Sequence, residues 1–429
     1  MAGMSDDNQR PPRRAGKKQK PEIDPKDIQG LKYFRVLEPF LEQLHSIGTA
    51  RDRAHNRQLH MDQYCMLIML WMYSPIVDSL RGLQQASQLK KVQEKLKISG
   101  ASLGSLSESV AVFDPEPLKE IAAELFERLP HPAVPANLQG LDKTLVAVDG
   151  SVVKVLARIA KLAWCGKKEG HPTCGYRLHT HFEILRGLPK RIVATSANPK
   201  GKDAEQAVLE RTIEPDHCYV VDRGYQKYAL WNDIHAAKSS YVCCVRDKIA
   251  HEVVEERELS AADSNAGVLS DQIIRLTSER SAVDHPLRLV CVACTPHTSR
   301  GRRSGRNFSS TGPSSDGVLR IATDMLDLPA EIIAELYRLR WSIELFFRMF
   351  KQLLGCRHLL STKQNGVEIQ VYSALIACIL IMLYTGRSPT KRTFEMMCFY
   401  MVGLADDDEV AGHIDKLNRR DEDESAKQT

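Results

Sequence analysis

Apolar residues recur at helical spacing through the first third of the chain and at strand spacing through the middle. Residues 31–47 carry apolar groups three and four apart, and 61–74 is dense enough to read as a helix buried on most sides. Residues 80–87, 91–96 and 116–129 continue the pattern. Ser105 or Ser107, and Asp114, stand where N-caps would fall. His131-Pro-Ala-Val-Pro135 then breaks the periodicity, so 25–140 is predicted to be an all-helical region. Residues 1–24 are rich in Pro, Lys and Arg and have almost no large apolar side chain. That composition cannot bury a core, and it predicts a disordered basic tail, either an arm along DNA or a solvated terminus.

From residue 142 the texture changes. Short apolar runs at 146–148, 152–155, 180–185 and 192–195 predict strands. A helix over 204–213, a strand over 218–221 and a helix over 228–237 follow. Strands first in hairpins and then alternating with helices predict a mixed sheet with helical cover, an α/β (α+β overall) arrangement over 141–240 and 325–365. Residues 241–324 read as a β-rich insertion, with strands at 242–245, 251–255, 273–276, 287–293 and 318–323. Its stretch 298–317 is a basic loop rich in Ser, Gly and Arg. One long helix is predicted from Pro329 to about Leu354, helices return over 366–404, and the charged tail 405–429 is expected to fray.

At 429 residues, two or three domains are expected, and 43% hydrophobic residues suffice for a core. A net charge of +5 is too mild to argue for a nucleic-acid partner by itself. The eleven cysteines form no framework and read as free buried thiols in a reducing compartment. The start is polar and basic, without a signal-peptide pattern. The apolar runs 65–71 and 374–383 are too short to span a bilayer. A soluble, cytoplasmic protein is the expectation.

The candidate chemistry lies in carboxylates. Two apolar runs each end in an aspartate, Leu145-Val-Ala-Val-Asp149 and Tyr219-Val-Val-Asp222, and Glu344 sits far downstream on the long helix. Hard cations take oxygen ligands and only one or two protein carboxylates each, so this set suits two Mg²⁺ ions acting on a phosphoryl group. On the helix, Tyr337, Arg340, Glu344 and Lys351 fall within about 60° of one another, opposite Leu339, Phe346, Met349, Phe350 and Leu353. The stripe has two readings. It is a solvated face with an Arg340–Glu344 ion pair, or Glu344 binds a cation while Arg340 and Lys351 hold phosphate oxygens.

The order Asp149, Asp222-Arg-Gly-Tyr, then Tyr337-(2)-Arg340-(3)-Glu344-(6)-Lys351 resembles the DDE transposases of bacterial insertion sequences, in particular insertion-sequence family four with its Tyr-Arg-Glu-Lys spacing. The run 336–348 and the preceding Ala-Thr-Asp-Met-Leu-Asp-Leu-Pro-Ala are similar to the family's core helix and its approach. The resemblance covers 142–355 well and 366–404 more loosely. It implies a ribonuclease-H-like catalytic core with a β-rich insertion. It also implies Asp149, Asp222 and Glu344 as catalytic metal ligands for two Mg²⁺ ions, which Mn²⁺ can replace. The activity implied is cut-and-paste recombination: hydrolysis at the ends of a mobile element, then transesterification into target DNA. Double-stranded DNA is the implied partner, with a homodimer in the DNA complex, 366–404 as its candidate contact and the N-terminal helices as the candidate reader of terminal repeats. Tyr337 would meet a phosphate oxygen, and Arg223 either a phosphate or a local acid. Trp341 is the candidate to stack on a displaced base, or else a core aromatic. The insertion has no Trp, so a second aromatic wedge there would have to be Phe308. Arg300, Arg302, Arg303 and Arg306 would track the DNA backbone.

Cys165, His171, Cys174, His179 and His181 lack paired zinc-ligand spacing, His358 reads as a packing or capping histidine or else as one that assists near the metals, and Gly170, Gly175 and Gly187 form no phosphate loop. The alternatives to an active enzyme are a catalytically silent DNA-binding relic and a structural oligomerisation protein.

Overall fold

Among the described residues, helices α1 (Met61–Tyr73), α2 (Leu80–Ser87), α3 (Lys90–Leu96), α4 (Leu103–Val112) and α5 (Glu116–Glu127) precede the first strand. The structure, a computed structural model, describes residues 43–45, 57–74, 76–155, 164–166, 173–198, 200–247, 249–277, 283–295, 316–354, 359–361 and 363–426. The expected basic tail, most of the helix at 31–47, the loop arginines at 300, 302, 303 and 306, Phe308, His171 and His358 lie outside these residues. Helix α4 was not anticipated. It is capped by Ser102, whose hydroxyl accepts from the Ser105 N–H at 3.0 Å, so neither Ser105 nor Ser107 is the cap. Asp114 does cap, accepting from the Glu116 N–H at 3.2 Å.

The central element is β1 (Thr144–Val155), followed by β2 (Trp164–Gly166), β3 (Thr173–Glu183), β4 (Leu188–Ser196), α6 (Glu205–Glu210), β5 (His217–Val221), α7 (Tyr228–Ala236) and β6 (Ser240–Cys244). β1 runs straight through both apolar runs that had been read as separate strands. Along its whole second half it pairs antiparallel with β3, which pairs in turn with β4. Its first half pairs parallel with β5, and β5 pairs parallel with β6. The order β4-β3-β1-β5-β6, three antiparallel strands followed by two parallel ones, is the ribonuclease-H-like arrangement.

The insertion contributes β7 (His251–Glu256), α8 (Ala261–Asn265), β8 (Val268–Leu276), β9 (Leu287–Ala293) and β10 (Val318–Thr323). These strands do not form a sheet of their own. β10 adds antiparallel to β6, and β9, β8 and β7 follow, giving one continuous ten-stranded sheet among the described residues. The first strand assigned to the insertion, at 242–245, is thus the fifth core strand. It pairs parallel with β5 and antiparallel with β10, and helices on both sheet faces bury every one of its residues, which is why it reads as a plain apolar run.

The chain closes with α9 (Ala330–Leu339), α10 (Trp341–Leu353), α11 (Gln364–Thr385), α12 (Lys391–Met401) and α13 (Asp407–Ala426). Two cores result, one on each sheet face. Leu145, Ala147, Val153, Cys218 and Val220 face the helices α9–α12 and the N-terminal helices. Val146, Val148, Tyr219 and Val221 face Leu209, Trp231 and Ile234 of α6 and α7. Helix α11 is long and apolar enough to cross a bilayer, longer than the run seen in the sequence, yet 89% of its apolar window is buried inside the protein. It packs on α1, α4, α5 and β4, the place of a core helix.

The C-terminal segment is not a frayed tail. Val410 and Ile414 of α13 are buried, the Tyr400 hydroxyl donates to Asp407 at 2.7 Å, and Arg387 binds Asn418 and Asp421. A thin apolar stripe at four-residue spacing docks the helix, hidden in the sequence by its dense charge.

The insertion also anchors α9, where the Tyr337-to-Lys351 stripe begins. Arg288 of β9 is 1% exposed and grips Asp271 of β8 with two bonds of 2.7 Å. The same guanidinium donates to the Met325 carbonyl at 3.0 Å and to that of Leu328, fixing the turn into α9. Asp263 then caps α9 by accepting from the Glu331 N–H at 2.8 Å. Removing Arg288 strands a buried carboxylate, so Arg288→Ala is expected to lose about 3–5 kcal/mol of unfolding free energy in urea titrations. The double variant Asp271→Leu/Arg288→Met should recover much of it; equal losses for single and double variants would show that the ion pair is not the source.

Candidate active site at the carboxyl edge of the parallel strands

Asp222 is the first residue after β5. Asp149, expected at a strand end, lies inside β1, opposite Thr180 of β3. What ends there is the parallel pairing, whose last register pair is Val148↔Val221. Asp149 and Asp222 therefore follow one another on adjacent strands, about 4.8 Å apart in backbone spacing. By alternation they share the face of Leu145, Ala147, Cys218 and Val220, the face covered by α9 and α10. Each is oriented by a backbone amide. Gly150 N–H donates to Asp149 Oδ1 at 2.7 Å, and Gly224 N–H to Asp222 Oδ1 at 2.7 Å, where Asp222 caps a short turn over Arg223–Tyr225.

Burial raises the Asp149 carboxyl, the Asp222 charge raises it further, and together they push it up to about 7, against opposing pulls from Arg340 and the Gly150 amide. Two neighbouring carboxylates in a half-buried setting resist being ionised together, so the pair is short of positive charge.

Glu344 sits in the first turn of α10 and accepts from Arg340 at 2.8 Å. The long helix expected over 329–354 is interrupted at this arginine. Arg340 ends α9 and begins α10, and its amide bonds three residues back to Tyr337 rather than four. Arg340 is drawn electrostatically to Tyr337, Asp149 and Glu344, and these partners raise its pKa despite its burial. The arginine thus bonds the glutamate and attracts Asp149. Tyr337 lies beneath it, with the guanidinium 5.8 Å from the ring centre; burial and the thiol of Cys244 push its phenol up, keeping it a neutral donor. Lys351 is half-buried and makes no hydrogen bond or ion pair among the described residues.

Two readings are narrowed. Trp341 is 48% exposed, with the Arg348 guanidinium 5.6 Å from its ring, so it is not a core aromatic. Arg223 lies 3.7 Å from Asp247 and beside the Cys244 sulfur at 3.8 Å, which is the local ion pair rather than an outward cation. His179 and His181 bond to Thr195 and Thr212 at 2.8 and 3.0 Å and are core histidines, with the His179 Nδ1 buried without a partner; burial holds their pKa values down to about 4 and about 3.

Sequence reasoning missed Glu205 and Arg177. Glu205, at the start of α6, forms an ion pair with Arg177 of β3. Burial and the charge of Asp222 raise its pKa, with Arg177 pulling it down, and Glu205 in turn adds to the raising of Asp149. It approaches from the opposite sheet face through two gaps left by glycines. A β-carbon on Gly150 would come within 2.5 Å of Glu205 Oε1. One on Gly224 would meet Asp222 Oδ1 at 2.9 Å and Glu205 Oε2 at 3.7 Å. A glycine beside each aspartate was the available signal.

A carboxyl with a raised folded-state pKa gives stability that is present below its unfolded value, near 4, and is lost as pH rises through about 7. Without divalent cations, the melting temperature of the wild type should therefore fall between pH 4 and 7 more steeply than that of Asp149→Asn. Parallel curves would assign the titration elsewhere. Adding Mg²⁺ near pH 6 should release protons, read as buffer-dependent heats in calorimetry.

Comparison with known proteins agrees with this geometry. The family model "Transposase DDE domain" matches residues 140–380, from just before β1 into α11. The transposase y4zB of Sinorhizobium fredii is 29% identical over 228 residues, which are 52% of this chain and 57% of that protein. The transposase for insertion sequence element IS5377 of Geobacillus stearothermophilus is 26% identical over 208 residues, 48% of each. The chain spans about half the length of these curated relatives. A cryo-EM structure of the piggyBac transposase synaptic complex with hairpin DNA aligns over 90% of this chain and 84% of that one, at 11% identity and a TM-score of 0.41, too low a likeness to reason from. With the family model matching more than half of its residues, the chain belongs to the transposase DDE domain family.

Proposed function

We propose that this protein is a DNA transposase that binds the terminal inverted repeats of an insertion sequence, cuts the DNA ends by metal-dependent hydrolysis and joins them to target DNA by transesterification. The observation that carries the reading is the adjacent pair Asp149 and Asp222, in which burial and the charge of Asp222 together raise Asp149 to about 7. A site short of positive charge and furnished only with oxygen donors fits hard divalent cations. Asp149, Asp222 and Glu344 would hold two Mg²⁺ ions, replaceable by Mn²⁺. When bound, the ions supply activation of the attacking hydroxyl and charge neutralisation at the leaving oxygen.

The chain's own groups do the rest. Glu344 starts out bonded to Arg340. Turning its carboxylate to the aspartate side frees the guanidinium for a phosphate oxygen, which it can grip with two donors. Tyr337, un-ionised, supports that arginine from below. Lys351, two turns further along α10, adds a point charge toward the DNA backbone. Arg177 holds Glu205 against Gly150 and Gly224, and Glu205 thereby keeps the two aspartates from swinging to the opposite sheet face. Exposed Trp341 stands beside this stripe, where a displaced base could stack. The N-terminal helices are the proposed reader of the repeats, and a homodimer would supply one site for each end; within 366–404 the candidate contact is α12, because α11 is buried in the core.

Cleavage of a labelled DNA carrying the element's terminal repeats, with Mg²⁺ or Mn²⁺, tests the reading. Wild type should nick or excise. Asp149→Ala, Asp222→Ala and Glu344→Ala should each lose at least about 1000-fold, some 4 kcal/mol of barrier, while still shifting the DNA. Cutting at the wild-type rate by any of the three removes that residue from the site, and wild type that binds ends but never cuts would be a silent relic. Arg340→Ala and Lys351→Ala should each weaken binding at any sequence and reduce the log–log salt slope by about 1. An unchanged slope returns them to a solvated face.

A further inference from the structure

At the opposite end of the sheet from the aspartates, three ligand-type side chains meet. His235 lies in the last turn of α7, Asp324 directly follows β10, and His285 stands two residues before β9. One ligand atom from each lies within 4.8 Å of the others. We propose that these residues form a binding site for a borderline divalent transition metal of the Zn²⁺ class, separate from the acidic edge.

The local hydrogen bonds prepare such a site. Asp324 accepts from the Tyr241 N–H through Oδ1 at 3.1 Å, which turns Oδ2 toward His235 Nδ1 at 2.8 Å. Around a tetrahedral zinc with bonds near 2.0–2.1 Å, neighbouring ligand atoms stand about 3.3 Å apart, so exchanging the shared proton for a metal needs only a small spreading. The Asp324 side chain is 2% exposed, whereas that of His235 is 48% exposed. His285 is 8% exposed, and its Nδ1 is buried without a partner. Its other nitrogen, Nε2, is 3.0 Å from the Tyr241 hydroxyl. If Nε2–H donates to that oxygen, Nδ1 carries a lone pair with nothing to accept it from. That is the tautomer a metal requires, with Tyr241 in the outer position that usually orients a ligating histidine. Burial, with His235 beside it, lowers the His285 pKa and keeps the ring neutral, the metal-binding form.

The rings of His235 and His285 stack with centres 4.2 Å apart at 17°, so one must rotate for the two lone pairs to converge. The half-exposed His235 is free to do so. Two imidazoles and one carboxylate disfavour Mg²⁺, which takes oxygen ligands, and favour Zn²⁺, with water completing the shell. The ion would clasp α7, the end of β10 and the approach to β9, where the insertion rejoins the core.

The test uses the full chain stripped with EDTA and returned to buffer with excess Mg²⁺, which fills the carboxylate edge. Zn²⁺ titration by calorimetry should show one ion per chain and a rise in melting temperature. Co²⁺ should give a visible absorption band. His235→Ala, a change at a half-exposed position that leaves the core intact, should weaken binding by more than about tenfold. Asp324→Asn should do likewise, and Asp222→Asn should bind Zn²⁺ as wild type does. No uptake by wild type, undiminished uptake by His235→Ala, or loss on Asp222→Asn would each overturn the proposal.

Discussion

The candidate site is organised around the burial of Asp149 beside the charge of Asp222. Two carboxylates on adjacent parallel strands, partly withdrawn from water, are unfavourable unless a positive charge stands near them. Burial and the neighbour's charge are together strong enough to bring Asp149 to about 7, although an arginine and a backbone amide both pull the other way. The fold does not relieve this. It holds both side chains to one face by strand alternation, ties each to the amide of a glycine one or two residues on, and backs them with a third acid, Glu205.

The rest of the architecture supplies what the pair lacks. Helices α9 and α10 meet at Arg340, whose guanidinium bonds Glu344 and attracts Asp149 electrostatically. The entry to α9 is held from the insertion, through Arg288 and Asp263. Because β10 and β9 extend the core sheet, this hold is transmitted through strand pairing rather than across a hinge between domains. The insertion therefore acts as a buttress of the site, whatever else its loops contact.

Much of this was legible in the sequence because its elements are strongly patterned. Residues 80–87, 287–293 and 318–323 form with the bounds read from periodicity, and the order of strands followed from apolar runs and their turns. The acids and the Tyr337-to-Lys351 stripe were visible because chemistry needs those residue types at that spacing. Other features were hidden for physical reasons. β1 looked like two strands because Asp149-Gly150 interrupts its apolar alternation, yet β3 pairs straight through that interruption. The strand at 240–244 could not be assigned to core or insertion, since a strand buried on both faces carries no periodic mark. Helix α13 was masked by its charge. Glu205, Arg177, and the His235–His285–Asp324 cluster are brought together only by tertiary pairing, across separations no spacing rule reaches.

The most direct measurement of the central claim is the anomalous diffraction signal of Mn²⁺ in crystals of the protein, grown metal-free and then soaked. The account requires manganese between the carboxylates of Asp149 and Asp222, with Glu344 turned away from Arg340 toward it. Crystals saturated with Mn²⁺ that show no density at the aspartate pair, and Glu344 still bonded to Arg340, would contradict it.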